Sequence, residues 1–188
     1  MRKLVSFLHI SLDGFVAGPN GEMDWVYVGE DLFDYAGERT DQSDTALYGR
    51  VTYELMESYW PTAANKPDAT RHDIQHSKWY NSVKKVLVSR TMKNTSSKST
   101  RIIRENLPAE IEKLKAEPGK EIVIFGSPAV TNLLSEAGLI DEYWLFVNPI
   151  LLGNGIPLYR STNNNVKLKL LFSKAFDSGV VCLHYEAR

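Results

Sequence analysis

Residues 121–147 read EIVIFGSPAVTNLLSEAGLIDEYWLFV, and their pattern decides the fold class. Residues 121–125 form a short apolar run bounded by a glycine, which fits a strand buried on both faces. Gly126 is a turn residue, and Ser127-Pro128 opens a helix with Ser as N-cap and Pro at the first helical position. That helix places Val130, Leu133, Leu134 and Ala137 on one face and stops at Gly138. Residues 141–147 are then a second strand apolar on both sides. Strand, crossover helix and strand make a parallel βαβ unit.

Working outward, the same alternation recurs. Residues 3–11 read as a central strand, followed by Gly14, Gly18, Pro19, Asn20 and Gly21, which predict a mobile loop running to Trp25. A helix is predicted over 30–40, a short strand over 45–48 and a second helix beginning near Arg50. Residues 61–71 read as a loop, 72–82 as a helix carrying Ile74, Trp79 and Tyr80, and 85–89 as a strand. The polar stretch 91–100 has too many Ser and Thr for a packed element. A short strand near Ile102 and Ile103 leads into a helix over 108–116. At the far end, 166–172 and 180–186 pair across the turn Asp177-Ser178-Gly179. Repeated βαβ units with an antiparallel end predict one α/β domain over 1–188, an open, mostly parallel sheet with helices on both faces.

Composition narrows the function. With 188 residues the chain is about one domain long. Its 22 Lys and Arg against 23 Asp and Glu give a net charge of −1, which leaves no surplus for phosphate backbones or anionic membrane. The single cysteine, Cys182, excludes an intrachain disulfide and a Cys-rich zinc site, and points to the cytoplasm. Arg2 and Lys3 before the apolar run 4–12 mimic a signal peptide. Ser6, His9 and Ser11 interrupt that run and Asp13 ends it without a small-residue cleavage site, so it reads as a strand.

In open α/β sheets ligands lie beyond the carboxyl ends of the strands, and three such ends carry suggestive chemistry. Gly49-Arg50 combines a close-approach glycine, a helix N-terminus and a cation, which suits a phosphate; the alternative is a glycine ending a strand beside a surface arginine. Ser89-Arg90-Thr91 offers two hydroxyls and a guanidinium, which suits a terminal phosphate. Gly126-Ser127 opens a helix, as an anion site or as a cap alone. Together they favour a phosphorylated cofactor. The usual nucleotide fingerprints are absent: Leu158 stands where the run after Gly153-Asn154-Gly155 needs glycine, and Gly119-Lys120-Glu121 lacks the Ser or Thr of a P-loop. His72 and His76 have metal-ligand spacing but no third ligand beyond Asp73, so they read as a solvated helix face, with no metal. His9 and His184 read as structural. Among the acidic groups Asp13, Glu30, Asp31 and Asp34, a carboxylate beside a cofactor can donate a proton, whereas Asp13 before Gly14 reads first as a turn former.

The ordered set Ser11-Leu12-Asp13-Gly14, Asp24-Trp25, Gly49-Arg50-Val51-Thr52-Tyr53-Glu54 and Ser89-Arg90-Thr91 resembles the dihydrofolate reductase-like superfamily. Gly126-Ser127, Leu139-Ile140-Asp141-Glu142 and the run 149–158 (PILLGNGIPL) resemble one branch of it, the reductase domain of bacterial bifunctional riboflavin-biosynthesis deaminase/reductases and its stand-alone relatives. The match covers about residues 4–159.

The resemblance implies the three-layer dihydrofolate reductase-like fold and NADPH as cofactor. It places Gly49, Arg50, Val51 and Thr52 at the pyrophosphate and Ser89, Arg90 and Thr91 at the 2′-phosphate. Gly126, Ser127, Ala129 and Val130 then run along the cofactor. The loop with Gly21 and Trp25, rising from Asp13, closes over the nicotinamide, and Glu30 or Asp31 is the proton-side carboxylate. The implied chemistry is hydride transfer to a heterocycle or to a sugar carbonyl of a riboflavin precursor; the alternatives are a pterin reductase or a binding protein that keeps the cofactor site without turnover. Phe7 stands where riboflavin-pathway reductases usually carry a lysine, and the companion deaminase motif is absent. The apolar runs 143–147 and 150–152, with the dimers common in the family, predict a homodimer acting on a small molecule.

Overall fold

In the computed structural model, residues 1–95, 100–159 and 165–188 are described; 96–99 of the polar stretch lie outside them. The strand runs found above assemble into one sheet of eight. Chain order gives β1 (Leu4–Ser11), β2 (Phe15–Ala17), α1 (Glu30–Thr40), β3 (Ser43–Gly49), α2 (Arg50–Tyr59), a 3₁₀ turn (Ala63–Asn65), α3 (Arg71–Ser82) and β4 (Lys84–Val88). Then come β5 (Arg101–Ile103), α4 (Leu107–Ala116), β6 (Glu121–Phe125), α5 (Pro128–Glu136), β7 (Glu142–Asn148), β8 (Ile156–Pro157), β9 (Leu168–Ala175) and β10 (Val181–Ala187). The order across the sheet is β5-β4-β3-β6-β1-β7-β10-β9. The first six are parallel and the last two antiparallel, the mostly parallel sheet with a terminal hairpin that the sequence predicts.

The reversal of crossover direction puts helices on both faces. On one face Leu32 of α1, Tyr53 of α2 and Tyr80 of α3 pack on Val5, Phe7, Val123 and Phe125. On the other, Ile111 and Leu114 of α4 with Val130 and Leu134 of α5 pack on Leu4, Leu47, Ile122 and Ile124. The foot of the sheet is tied by charge: Arg39 at the end of α1 bonds Glu121 of β6 and lies 3.9 Å from Glu142 of β7. Glu142 also holds Lys3 at 2.5 Å and His184 of β10 at 2.9 Å.

Four expectations change. Ser127 is not a side-chain N-cap: it adopts the left-handed conformation (φ 54°) and no side chain caps α5. The buried stripe of α5 is Val130, Thr131, Leu134 and Ser135, while Leu133 is 56% exposed. The loop after Gly14 is not wholly free, because β2 pairs with β8 and buries Val16 and Ala17. The apolar run 143–147 is core of one chain, since β7 lies between β1 and β10. The extended apolar surface is instead the edge strand β9, exposed along its length, with Leu170, Leu171 and Phe172 each more than 40% exposed.

Candidate cofactor and active site

The three suggestive strand ends belong to β4, β3 and β6, which are consecutive in the sheet. With adjacent strands about 4.8 Å apart, they form a continuous row. At its centre two helix N-termini from opposite faces of the sheet meet. A Cβ on Gly49 would stand 3.2 Å from Cγ2 of Val130 in α5, and one on Gly126 would stand 3.4 Å from Cγ2 of Thr52 in α2. A side chain at Gly49 would thus have to displace Val130 by a few tenths of an ångström, and at Gly126 it is the positive φ of 55° that favours glycine. Among the described residues no side chain caps α2 or α5, so the first-turn N–H groups of Arg50, Val51, Thr52, Ala129 and Val130 are available to an anion, reinforced by both helix dipoles.

Ser127 fixes this arrangement. Its hydroxyl accepts the Gly49 N–H at 2.8 Å and donates to the Phe125 carbonyl at 3.1 Å, joining β3 to β6 at their tips. Gly126 and Ser127 both have positive φ, 55° and 54°, which turns the chain sharply from strand into helix. Arg50 is exposed and paired to Glu54 one turn along α2. At the β4 end the Ser89 hydroxyl accepts the Met92 N–H at 3.1 Å, shaping a turn that leaves Arg90 and Thr91 exposed.

The glycine loop stands over the β1 and β7 ends. Asp13 accepts hydrogen bonds from the Ser11 hydroxyl at 2.6 Å and from the N–H groups of Leu152 and Gly153 at 3.1 and 2.7 Å. The Ser11 hydroxyl in particular holds its carboxyl below the usual range. Asp13 thus pins the start of the loop to the segment before β8. Gly21 turns the loop with φ 92°, and the Trp25 indole donates to the Glu22 carbonyl at 3.1 Å. Beyond it the Tyr27 N–H donates to Oδ1 of Asn148 at 2.9 Å. Gly155 is required by packing, because a Cβ there would lie 2.3 Å from the Ala17 carbonyl oxygen.

Glu30 and Asp31 both lie exposed in the first turn of α1. Asp31 accepts the Leu32 N–H at 2.8 Å. Among the described residues neither forms a hydrogen bond or ion pair with the row of strand ends.

Sequence reasoning missed three features. Asn148 at the β7 end is fully buried and contacts Nδ1 of His9 at 3.4 Å. His9 stacks on Phe146, and burial pushes its pKa down to about 4, keeping it neutral. An aromatic cluster follows β6: Phe125 meets Trp79 at 5.4 Å and His76 at 6.0 Å between ring centroids. Phe7 belongs to the same cluster. The signal for it was the i, i+4 His pair, but its partners Trp60, Phe33 and Phe125 come from other elements. Burial also pushes the Cys182 thiol up to about 12. Among the described residues no cluster of His, Cys, Asp and Glu is placed to hold a metal, and no helix is long and apolar enough to cross a membrane.

The mostly parallel eight-stranded sheet with helices on both faces is a dihydrofolate reductase-like fold. The RibD C-terminal domain family model matches residues 2–182, and the chain belongs to that family. The uncharacterized protein YyaP of Bacillus subtilis (strain 168) is 34% identical over 188 residues, covering 98% of this chain and 94% of its own. RibD from Acinetobacter baumannii has a similar structure, with TM-score 0.72 at 16% identity, covering 100% of this chain and 58% of that one. Dihydrofolate reductase from Enterococcus faecalis, complexed with NADP(H), gives TM-score 0.65 at 13% identity over 99% and 96% of the two chains. These two likenesses establish the fold.

Proposed function

We propose that the protein is an NADPH-dependent reductase acting on a small heterocyclic or carbonyl compound. The observation that carries this reading is the row of strand ends β4-β3-β6, with two uncapped helix N-termini meeting at its middle. In it Arg90 and Thr91 take the 2′-phosphate and the first-turn amides of α2 and α5 take the pyrophosphate. The nicotinamide end falls toward the β1 tip beneath the loop. NADPH supplies the hydride; the chain orients it and excludes water. Glu30 or Asp31, in the first turn of α1, is the group on the proton side. Phe7, buried among Phe125 and Phe146, replaces the family's lysine with an apolar wall.

NADPH oxidation across a panel of pterins, flavin precursors and quinones tests the reading. Turnover with one of them is expected, lowered by Asp31→Asn or Glu30→Gln far more than NADPH affinity is. A protein that quenches NADPH fluorescence but consumes none with any acceptor is a binding protein instead. The exposed position of both carboxylates is the observation that favours this second reading.

We further propose a homodimer in the cytoplasm that covers β9. An edge strand with exposed Leu170, Leu171 and Phe172 presents unpaired backbone and apolar side chains together.

A further inference from the structure

β1 outruns one of its two neighbours. On the β7 side it stays paired from Val5 to Ser11, whereas on the β6 side pairing stops at Phe7, opposite Phe125. Among the described residues, 8–11 have no strand beside them on that side, which leaves a notch between the tip of β1 and the Gly126-Ser127 turn. That turn abuts the start of the notch, because the Gly126 N–H donates to the Phe7 carbonyl at 3.3 Å. Side chains alternate along a strand, so His9 shares the face of Val5 and Phe7 and stands about 7 Å nearer the tip than Phe7. This is the face that α1 covers through Leu32. α1 begins at the same end of the sheet, since it runs down to the start of β3.

The His9 ring is held on one side and open on the other. It lies on Phe146 with ring centroids 5.0 Å apart, and its Nδ1 faces the amide nitrogen of Asn148 at 3.4 Å. That amide is held in one orientation: its nitrogen donates to the Phe146 and Ile10 carbonyls at 3.0 and 3.2 Å, and its oxygen accepts the Tyr27 N–H at 2.9 Å. Facing a donor, Nδ1 presents its lone pair, so the hydrogen of the neutral ring sits on Nε2. Nε2 has no hydrogen-bond partner among the described residues, and unlike Nε2 of His76 it is not one of the sealed interior nitrogens. His9 itself is partly exposed, yet burial pushes it down to about 4. A side chain so desolvated and still reached by solvent stands at the bottom of a recess.

We propose that His9 is a substrate-binding residue whose Nε2–H donates to a carbonyl oxygen or ring nitrogen of the compound that is reduced. This rests on the reductase reading and narrows it to substrates whose acceptor atom adjoins the carbon that receives the hydride. As hydride from NADPH adds to the carbon of a C=O or C=N bond, leaving NADP⁺, the π pair moves to the heteroatom, which then takes a proton from water. The Nε2–H holds that heteroatom throughout and gives up no proton of its own. A donor fixed in advance by Asn148 strengthens its bond as charge gathers there, without reorganising at the moment of reaction.

Nitrogen NMR of the full chain with isotope-labelled histidine, and no nucleotide present, reads the tautomer without any turnover. His9 should carry its hydrogen on Nε2, and adding lumazine, a flat dione, should shift that nitrogen saturably. His9→Phe keeps the stack on Phe146 and leaves the Asn148 amide its two carbonyls. It should lower kcat/KM about ten-fold to a hundred-fold for whichever acceptor of the panel is reduced, with NADPH affinity changed by less than about two-fold. His9→Gln, whose amide can donate but cannot stack, should recover most of that loss, which a merely structural ring would not allow. A hydrogen on Nδ1, a lumazine titration that leaves the His9 Nε2 unmoved, or a His9→Phe protein with wild-type kcat/KM overturns the proposal. If lumazine shifts His9 Nε2 but no acceptor is reduced, the reductase reading fails while the binding role of His9 stands.

Discussion

The Ser127 hydroxyl accepts the backbone N–H of Gly49 at 2.8 Å and so ties the tips of β3 and β6, from which α2 and α5 depart on opposite faces. Removing it leaves a backbone donor without its partner, which costs about 1–3 kcal/mol. Ser127→Ala should lose roughly that in urea unfolding. Ser127→Gly loses the same bond but relieves the left-handed backbone by about 1–2 kcal/mol, so it should be the milder of the two. Equal losses would show that the positive φ carries no strain.

Arg90 and Arg50 separate the two ends of the cofactor. Each hydrogen bond to a charged group contributes about 1.5–3 kcal/mol, so Arg90→Ala should weaken NADPH by roughly ten-fold to a few thousand-fold and leave NADH nearly unchanged. Arg50→Ala should weaken both nucleotides alike, and less, because Glu54 already holds its guanidinium at the surface. Titration of the purified protein with both nucleotides decides it: equal wild-type affinities, or an Arg90 change that hurts both equally, would remove Arg90 from the 2′-phosphate.

Gly155 faces the Ala17 carbonyl with no room for a methyl group. Gly155→Ala should therefore part β2 from β8 at a cost of about 1–3 kcal/mol, as overpacking usually does. Hydrogen exchange should rise at residues 15–17 before it rises in the main sheet. Unchanged protection there would mean that the β2–β8 pair adapts freely.

His9 and His76 set the acid side of the stability curve. Both are held below the ordinary 6.5, at about 4 and about 3, so below pH 6.5 the unfolded chain binds more protons than the folded one. Their contribution is complete above pH 6.5 and is lost as pH falls toward the folded values, at about 1.4 kcal/mol per pH unit for each. Glu142 and Asp44, whose values are lowered from 4.5 and 3.8, lose their contribution only at lower pH. The melting temperature should thus fall from about pH 6.5 to 5, and His76→Phe should make that fall shallower. Parallel curves for the two proteins would contradict a neutral buried His76.

A homodimer through β9 is tested by Leu170→Lys with Phe172→Lys, which place charge on the exposed edge without entering the core. Sedimentation should shift from dimer to monomer. A wild type that sediments near 21.3 kDa at micromolar concentration ends that proposal.

Where a pattern was long and local, the sequence was legible. The helix over 30–40 and the strand over 121–125 occur at the predicted residues, because apolar spacing and flanking breakers act within one element. The misreading of Ser127 came from backbone: a serine before proline predicts an extended N-cap, and nothing local reveals that Gly49 from another strand recruits its hydroxyl. The strands β2 and β8 are too short to show a period. His72 and His76 looked like a solvated face because Phe33, which stacks on His72, and Trp60, which meets His72 edge-on and His76 at a tilt, come from elsewhere in the chain. The row of strand ends was found residue by residue; its continuity needed the strand order.

The segment between β2 and Tyr27 is anchored at both ends, by the β2–β8 pair and by the bond from Tyr27 to Asn148. Within it, Gly18 and Glu22 close a turn, Gly21 bonds back to Gly18, and Val26 to Met23. Freezing a free residue costs about 1–2 kcal/mol of entropy, and here most of that ordering is accomplished when the chain folds. Residues 18–26 are therefore held by their own turns before any ligand arrives, and under the proposed function the energy of cofactor contact would go into holding the nicotinamide in place instead of shaping the cover above it.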